Sequence, residues 1–369
     1  LHTNEGDEIA PLDALLARPH IKASTDLSPS RLRARQLALA LSCLLGACGL
    51  SLIVGPADLS PGSVLAQAVS HLHIGVHSNM SAADVAIVWQ IRAPRLVLGA
   101  LVGAMLALAG ASYQGVFQNP LADPYLLGIA AGAGLGATLA VEIVTNPSSW
   151  PIDPVPLAAF IGALIAVGAT IALGRSTSAA RSASTLVLSG VAVGAFFTAI
   201  QTFAQQRDAP TLERVYSWIL GGLSGATWSQ VELALPYVVV CAAVLLASRR
   251  LLDVLSVGDE EATSLGIRAS RVRTLIVVAA TLGTAAVVSV SGLVGFVGII
   301  VPHTIRLALG PSYRRIVPLA FVYGAAFVVL ADLCARTIAA PSEIPLGVIT
   351  AFFGAPFFFV VLRQSRYLS

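Results

Sequence analysis

Charge is scarce in this chain. Of its 369 residues only 11% are Asp, Glu, Lys or Arg, where a soluble domain carries about 25%. Lysine is nearly missing, with Lys22 the single example. A P-loop of the G-x-x-x-x-G-K-[ST] type needs its lysine beside the phosphates, and Lys22 stands in "PHIKAS", so the chain has no nucleotide site of that kind. The four cysteines, Cys43, Cys48, Cys241 and Cys334, all lie in apolar runs without ligand spacing. That excludes a disulfide framework and a cysteine metal site, and they read as small hydrophobes. A net charge of +3 with no basic stripe excludes a nucleic-acid surface. There is no H-E-x-x-H and no G-x-S-x-G, so the usual signatures of an intramembrane hydrolase are missing. Asp332 is the one acid well inside an apolar run, with Glu142 and Glu232 at the ends of others. That is poor equipment for a carrier driven by protons or sodium, which commonly uses buried acids.

What is present is hydrocarbon. Hydrophobic residues make up 56% of the chain and the mean hydropathy is +0.83. Uncharged runs near 20 residues fit the thickness of a bilayer, and backbone in lipid must satisfy itself, which makes these runs helices. Strict alternation over about 10 residues, the mark of a barrel strand, does not occur. Hydropathy predicts ten spans, at 36–54, 96–117, 125–145, 155–174, 185–205, 231–248, 273–290, 293–309, 317–337 and 345–362. The seventh and eighth come from one apolar stretch. Unbroken, residues 274–302 would make a helix about 43 Å long against a core of about 30 Å. The Ser-, Val- and Gly-rich "VSVSGLVGFVG" in its middle is therefore read as a turn. The predicted fold is an all-α integral membrane protein of about ten transmembrane helices over residues 36–369. A polar N-terminal tail, 1–35, precedes it, and the late start of the first apolar run argues against a cleaved signal peptide.

Arginine sets the orientation. Lys and Arg gather on the cytoplasmic side of membrane proteins. With both termini cytoplasmic, the inner segments from Arg31 onward hold fifteen arginines, among them Arg249, Arg250, Arg268, Arg271, Arg273, Arg314 and Arg315. The outer segments hold five: Arg92, Arg95, Arg207, Arg214 and Arg336. Arg92 and Arg95 flank Pro94 in "WQIRAPRLVLGA" and run against the trend. Flanking arginines can snorkel to lipid headgroups; two around a proline also suggest a rigid, water-facing cationic knuckle.

Beyond that knuckle come "YQGVFQNPLADPYLLGIAAGAGLGA" (113–137), "LVLSGVAVGAFF" (186–197), "SWILGGLSG" (217–225), "LSVGDEEATSLGIR" (255–268), "GLVGFVGIIVPHTIRL" (292–307) and "ADLCARTIAAPSEIPLGVITAFFGAPFFF" (331–359). In this order and spacing they resemble the FecCD-type permeases, membrane subunits of ABC importers for iron–siderophore complexes, haem and cobalamin. The resemblance runs from about Arg35 to the end of the chain and leaves out the polar tail. It implies a type II importer permease in a bacterial cytoplasmic membrane, a transport subunit with no cofactor and no catalytic residues. It implies three kinds of protein partner: two copies of an ABC ATPase, an extracytoplasmic substrate-binding protein, and a second permease copy in a homodimer. Iron–siderophore is the first expected cargo, with cobalamin or haem next.

Individual positions take roles from the same resemblance. Arg92, Arg95 and Arg336 match arginines that dock acidic residues of the binding protein, although Asp332 and Arg336, four apart, also suit an intrahelical ion pair. Asn119 and Leu121, between two helix-breaking prolines, and Ala183 and Ser184 match the cytoplasmic gate; the first pair also reads as a plain turn. Gly258, Asp259, Glu260, Ala262, Leu265 and Gly266 match the coupling loop that meets the ATPase, where the residues alone allow a membrane-surface helix with acids at its N-terminus. Gly128, Gly132, Gly134 and Gly136 suit close helix packing. His303 and Arg306 read as anchors at a helix end. His71, His73 and His77 lie in the first outer loop with no acid or cysteine beside them, and no metal site is expected there.

Overall fold

The computed structural model describes residues 32–57, 59–70, 80–144, 150, 153–175, 183–206 and 209–365. Residues 1–31 of the 1–35 tail, and His71, His73 and His77, lie outside these residues; Ala34 and Arg35 already belong to the first helix. Among the described residues every regular element is helical. In chain order they are α1 (Ala34–Ile53), α2 (Pro61–Ser70), α3 (Ala82–Val116), α4 (Ile129–Ile143), α5 (Pro154–Arg175), α6 (Ala183–Gln205), α7 (Ala209–Ile219), α8 (Trp228–Ala247), α9 (Arg249–Leu255), α10 (Asp259–Ser264), α11 (Ala269–Ser291), α12 (Val297–Leu309), α13 (Tyr313–Thr337) and α14 (Leu346–Ser365). Seven of them, α1, α3, α5, α6, α8, α11 and α13, are long and apolar enough to cross a membrane, and α4, α12 and α14 are shorter apolar helices. All ten expected spans correspond to one of these.

The core is built around α3, which packs against α13, α11, α12 and α8, while α4 packs mainly against α5 and α6. Lipid supplies no hydrophobic drive between helices, so close approach of small residues does the work. A Cβ on Gly103 would run into the Gly324 carbonyl, one on Gly110 into Gly298, and one on Gly136 into the Ala158 carbonyl. α1 is peripheral, with most of its apolar face uncovered.

Three departures from the hydropathy reading have local causes. First, α3 begins at Ala82 rather than near 96, so Arg92, Pro94 and Arg95 lie inside a helix. A proline there removes one hydrogen bond and crowds the preceding turn. The chain accommodates it by widening to a π-helix over Ile87–Arg92. Second, the helix expected from 125 starts at Ile129, after a 3-10 turn, Pro124–Leu127. Gly128 ends that turn with φ +81°, a conformation open to glycine. Third, the expected break before the eighth span is longer than a tight turn. From Gly292 (φ 65°) to Phe296 (φ 67°) the chain is non-helical, and α12 starts only at Val297.

The two interruptions meet inside the bundle. The Tyr125 hydroxyl donates to the Val294 carbonyl at 3.1 Å and accepts the Val294 N–H at 3.2 Å. Pro124 sits against Gly298, and the Thr170 hydroxyl donates to the Leu127 carbonyl at 3.0 Å. Backbone freed by the breaks is thus satisfied by protein, as it must be at membrane depth.

Candidate functional sites at the two ends of the bundle

One end of the bundle carries Arg92, the other Asp253. At the Arg92 end, α1 stops at Ile53, and the carbonyls of its last turn have no helical partner. Arg92 donates to the carbonyls of Leu52 at 2.6 Å, Ile53 at 2.9 Å and Ala57 at 2.7 Å. Arg336 donates to the Ser51 carbonyl and, at 2.9 Å, to its hydroxyl. Two cations therefore cap the negative end of one helix dipole.

Arg95 has a different task. Its Nε and Nη2 grip Asp332 at 2.8 to 3.0 Å, and its Nη1 and Nη2 reach the two carboxylate oxygens of Glu343 at 2.8 and 3.0 Å. The planar guanidinium fork suits such double pairing. The two carboxylates are not alike. The Asp332 side chain is 4% exposed, that of Glu343 35%. Beside the pair opens a cleft of about 310 Å³ lined by Arg95, Arg214, Ser217, Ser224, Ser291, Asp332 and Glu343, among others.

The water-facing knuckle is therefore corrected. Arg92, Arg95 and Arg336 are 4%, 7% and 3% exposed, and each is engaged within the chain. Sequence spacing pointed to Asp332 and Arg336, which do approach, at 3.9 Å. The tighter partner of Asp332 is Arg95, 237 positions away. Glu343 escaped the sequence reading; its only signal was a lone acid in the short link between two apolar runs.

At the Asp253 end a second network gathers. Asp253 in α9 accepts the Tyr313 N–H and, at 3.1 Å, the Ser312 hydroxyl, and pairs with Arg314 at 3.3 Å. Arg306 donates to Gln114 and to the Tyr313 hydroxyl, both at 3.1 Å, and Gln114 donates to the Gly298 carbonyl at 3.0 Å. His303 packs edge-on against Phe357. Both residues thus anchor α12, in keeping with the sequence reading.

The turn after α3 belongs to this end. Gln118, at φ 51°, donates to the Leu255 carbonyl at 2.7 Å and so ties the turn to α9. Asn119 is exposed and its side-chain oxygen accepts the Leu121 N–H at 2.9 Å, while Leu121 is half-buried. Asp123 caps the 3-10 turn by accepting the Tyr125 N–H at 2.8 Å. Burial pushes its carboxyl up to about 6, against that hydrogen bond. Ala183 and Ser184 open α6, whose Gly190 touches Leu126 and Leu127 of the same turn.

The segment after α9 folds as a single-turn helix, α10, between Gly258 (φ 146°) and Gly266 (φ 75°). Ala262 is fully buried, and Asp259 and Glu260 begin the helix. Val257 and Leu265 are 69% and 68% exposed, two aliphatic side chains turned outward at a polar corner.

The chain is similar in sequence to known proteins. The sequence profile of the FecCD transport family matches residues 43–364. The cobalamin import system permease of Halobacterium salinarum is 46% identical over 280 residues, 76% of this chain and 74% of that protein. The hemin transport system permease of Yersinia pestis is 37% identical over 288 residues, 76% and 84% of the two chains. The iron(3+)-hydroxamate import system permease of Bacillus subtilis is 34% identical over 328 residues, 89% and 82%. Among solved structures, an inward-facing metal-chelate type ABC transporter superposes with a TM-score of 0.78 at 24% identity, over 90% of this chain and 100% of that one. At that identity the likeness speaks for the fold.

Proposed function

The chain belongs to the FecCD transport family, and from that premise we propose that it is the membrane permease of an ATP-driven importer for a large metal chelate. The family match over residues 43–364 carries the reading. On this reading the ATPase is a separate polypeptide, present in two copies for a permease dimer, in keeping with the lack of a P-loop in these residues. The Asp253 end is the cytoplasmic one on this reading, with both termini inside a bacterial cytoplasmic membrane. There α10, with Ala262 buried and Val257 and Leu265 exposed, meets the ATPase as the coupling element, and Gly258, Asp259, Glu260 and Gly266 shape it. Asn119, Leu121, Ala183 and Ser184 form the gate around the turn that Gln118 ties to α9. The Arg92 end faces an exported substrate-binding protein. Arg92 and Arg336 shape that face from within, and Arg95 presents the carboxylate-binding group.

Two cargoes divide the reading. Iron–siderophore suits the breadth of the family; the 46% identity to a cobalamin permease, against 37% and 34% for the haem and iron–hydroxamate relatives, favours cobalamin. The test is the complex of permease, ATPase and binding protein in nanodiscs. Cyanocobalamin, haemin and a ferric hydroxamate are offered in turn, and ATP hydrolysis and the molar mass of the complex are measured. A two-to-two complex stimulated by one chelate is expected. A monomeric permease that transports without any ATPase would overturn the reading.

A further inference from the structure

We propose that the groove between α1 and α12 holds one acyl chain of an anionic phospholipid, and that Arg33, Arg35 and Arg315 take the lipid phosphate at its Asp253 end. The leaflet that supplies the lipid rests on the importer reading above; the groove and its cations rest on the geometry.

The two helices each pack on α13 and leave a gap between them. Leu39 and Cys43 of α1 line one side, Ile300 and Ala308 of α12 the other, and Ala326 and Leu330 of α13 the floor. The gap measures about 440 Å³. Along α12 its lining runs from Ile300 to Leu309, about 14 Å at a rise of about 1.5 Å per residue. That is close to half of a hydrocarbon core of about 30 Å, the depth of one leaflet. A partner's helix of the same length, about 10 Å across, would occupy about 1100 Å³. The groove is too narrow for it and wide enough for a hydrocarbon chain.

The charges at the mouth say which lipid. Gln36 lines the groove in the first turn of α1, and its carboxamide oxygen accepts the Arg33 N–H at 3.1 Å. Arg33 and Arg35, both exposed, stand one turn before Gln36 and Leu39. Arg315, in the first turn of α13, reaches the opposite wall. Its Nη2 lies 3.4 Å from where a Cβ on Gly310, the residue that ends α12, would stand. The buried Nε of Arg315 has no hydrogen-bond partner, and none of the three guanidiniums pairs with an acid among the described residues. An apolar slot of leaflet depth thus opens under three uncompensated cations. Guanidinium donors match phosphate oxygens, and basic pockets between helices at a cytoplasmic surface hold anionic headgroups. A lipid seated there bridges α1, which the bundle covers poorly, to α12, whose Arg306 holds Gln114 of α3.

The test uses the full-length permease in detergent, without its partners. It is offered an equimolar mixture of phosphatidylglycerol and phosphatidylcholine with the same acyl chains, and retained lipid is counted by native mass spectrometry. One phosphatidylglycerol per chain is expected, retained about tenfold or more over phosphatidylcholine. Arg33→Gln, Arg35→Gln and Arg315→Gln together should bring the two lipids level. Ala308→Trp, at an exposed position in the groove wall, should lower retention of both at an unchanged thermal midpoint. Excess glycerol 3-phosphate should leave the lipid in place; displacement by it would overturn the acyl-chain anchor. Equal retention of the two lipids by wild type overturns the headgroup site. Phosphatidylglycerol retention untouched by Ala308→Trp overturns the groove as its seat, and if that variant also loses dimer or ATPase binding, the groove belongs to a protein partner. Because the lipid is counted on the permease alone, the importer reading stands or falls separately.

Discussion

Arg95 and Asp332 illustrate how a few charges are tolerated in an apolar chain. Each is buried, and each survives because the other lies within 3.0 Å in bidentate geometry. Removing one partner of such a pair leaves an uncompensated buried charge, at a cost of about 3–5 kcal/mol. Asp332→Ala is therefore expected to lower stability by at most about that much, since Glu343 still pairs with Arg95, read as a fall in the thermal midpoint of the detergent-solubilised protein. Arg95→Met with Asp332→Ala together should cost clearly less than the two single changes added, because charge and countercharge leave together. Additive losses would mean that the pair contributes nothing as a pair. None of this was visible in helical periodicity, which relates residues three or four apart. The Arg95–Asp332 contact joins positions 237 apart, and only the packing of α13 on α3 brings them together.

At the scale of elements, Gln118 ties the turn after α3 to the end of α9, three positions before the glycine that precedes α10. On the importer reading that bond carries motion from the ATPase to the gate. Ala262→Pro should abolish the coupling of ATP hydrolysis to uptake, since proline inside a helix costs about 3 kcal/mol and Ala262 is fully buried. Gln118→Ala should leave ATPase assembly intact and reduce uptake per ATP hydrolysed. Uptake and hydrolysis measured together on proteoliposomes check both, and full coupling in the proline variant would remove α10 from the coupling path. The same turn has a pH signature. Asp123 is held up to about 6 by burial, so the folded chain binds its proton more tightly than the unfolded chain. Its contribution to stability is full below about pH 4 and is lost as pH rises through 6. Asp123→Asn should flatten that part of a stability–pH curve between pH 4 and 7; an unaltered slope would assign it to other groups.

For the molecule as a whole, hydropathy was a good guide to where the chain crosses a membrane, since a lipid-facing helix must advertise itself residue by residue. Each of the ten expected spans has its helix. It guided less well where protein, not lipid, is the surrounding. The 3-10 turn at Pro124–Leu127 and the break at 292–296 are apolar, and composition alone does not separate them from helix; Tyr125 pins them together from 169 positions away. The linking helices α2, α7 and α9 are too short to carry a transmembrane signal. At the Arg92 end, counting charge grouped Arg92, Arg95 and Arg336 on one side but did not give their depth, because burial there is set by partners that α1, α13 and the α13–α14 link contribute.

The capping of α1 bears on how this protein is made. α1 is made before the other described helices, yet the groups that close its last turn are Arg92, about 40 positions later, and Arg336, 285 positions after Ser51. Until Arg92 is in place the carbonyls of Leu52 and Ile53 must borrow water or headgroups at the bilayer surface, and that of Ser51 does so until Arg336 arrives. α1 is thus closed in two steps, and a chain released before residue 336 carries a helix capped by Arg92 alone.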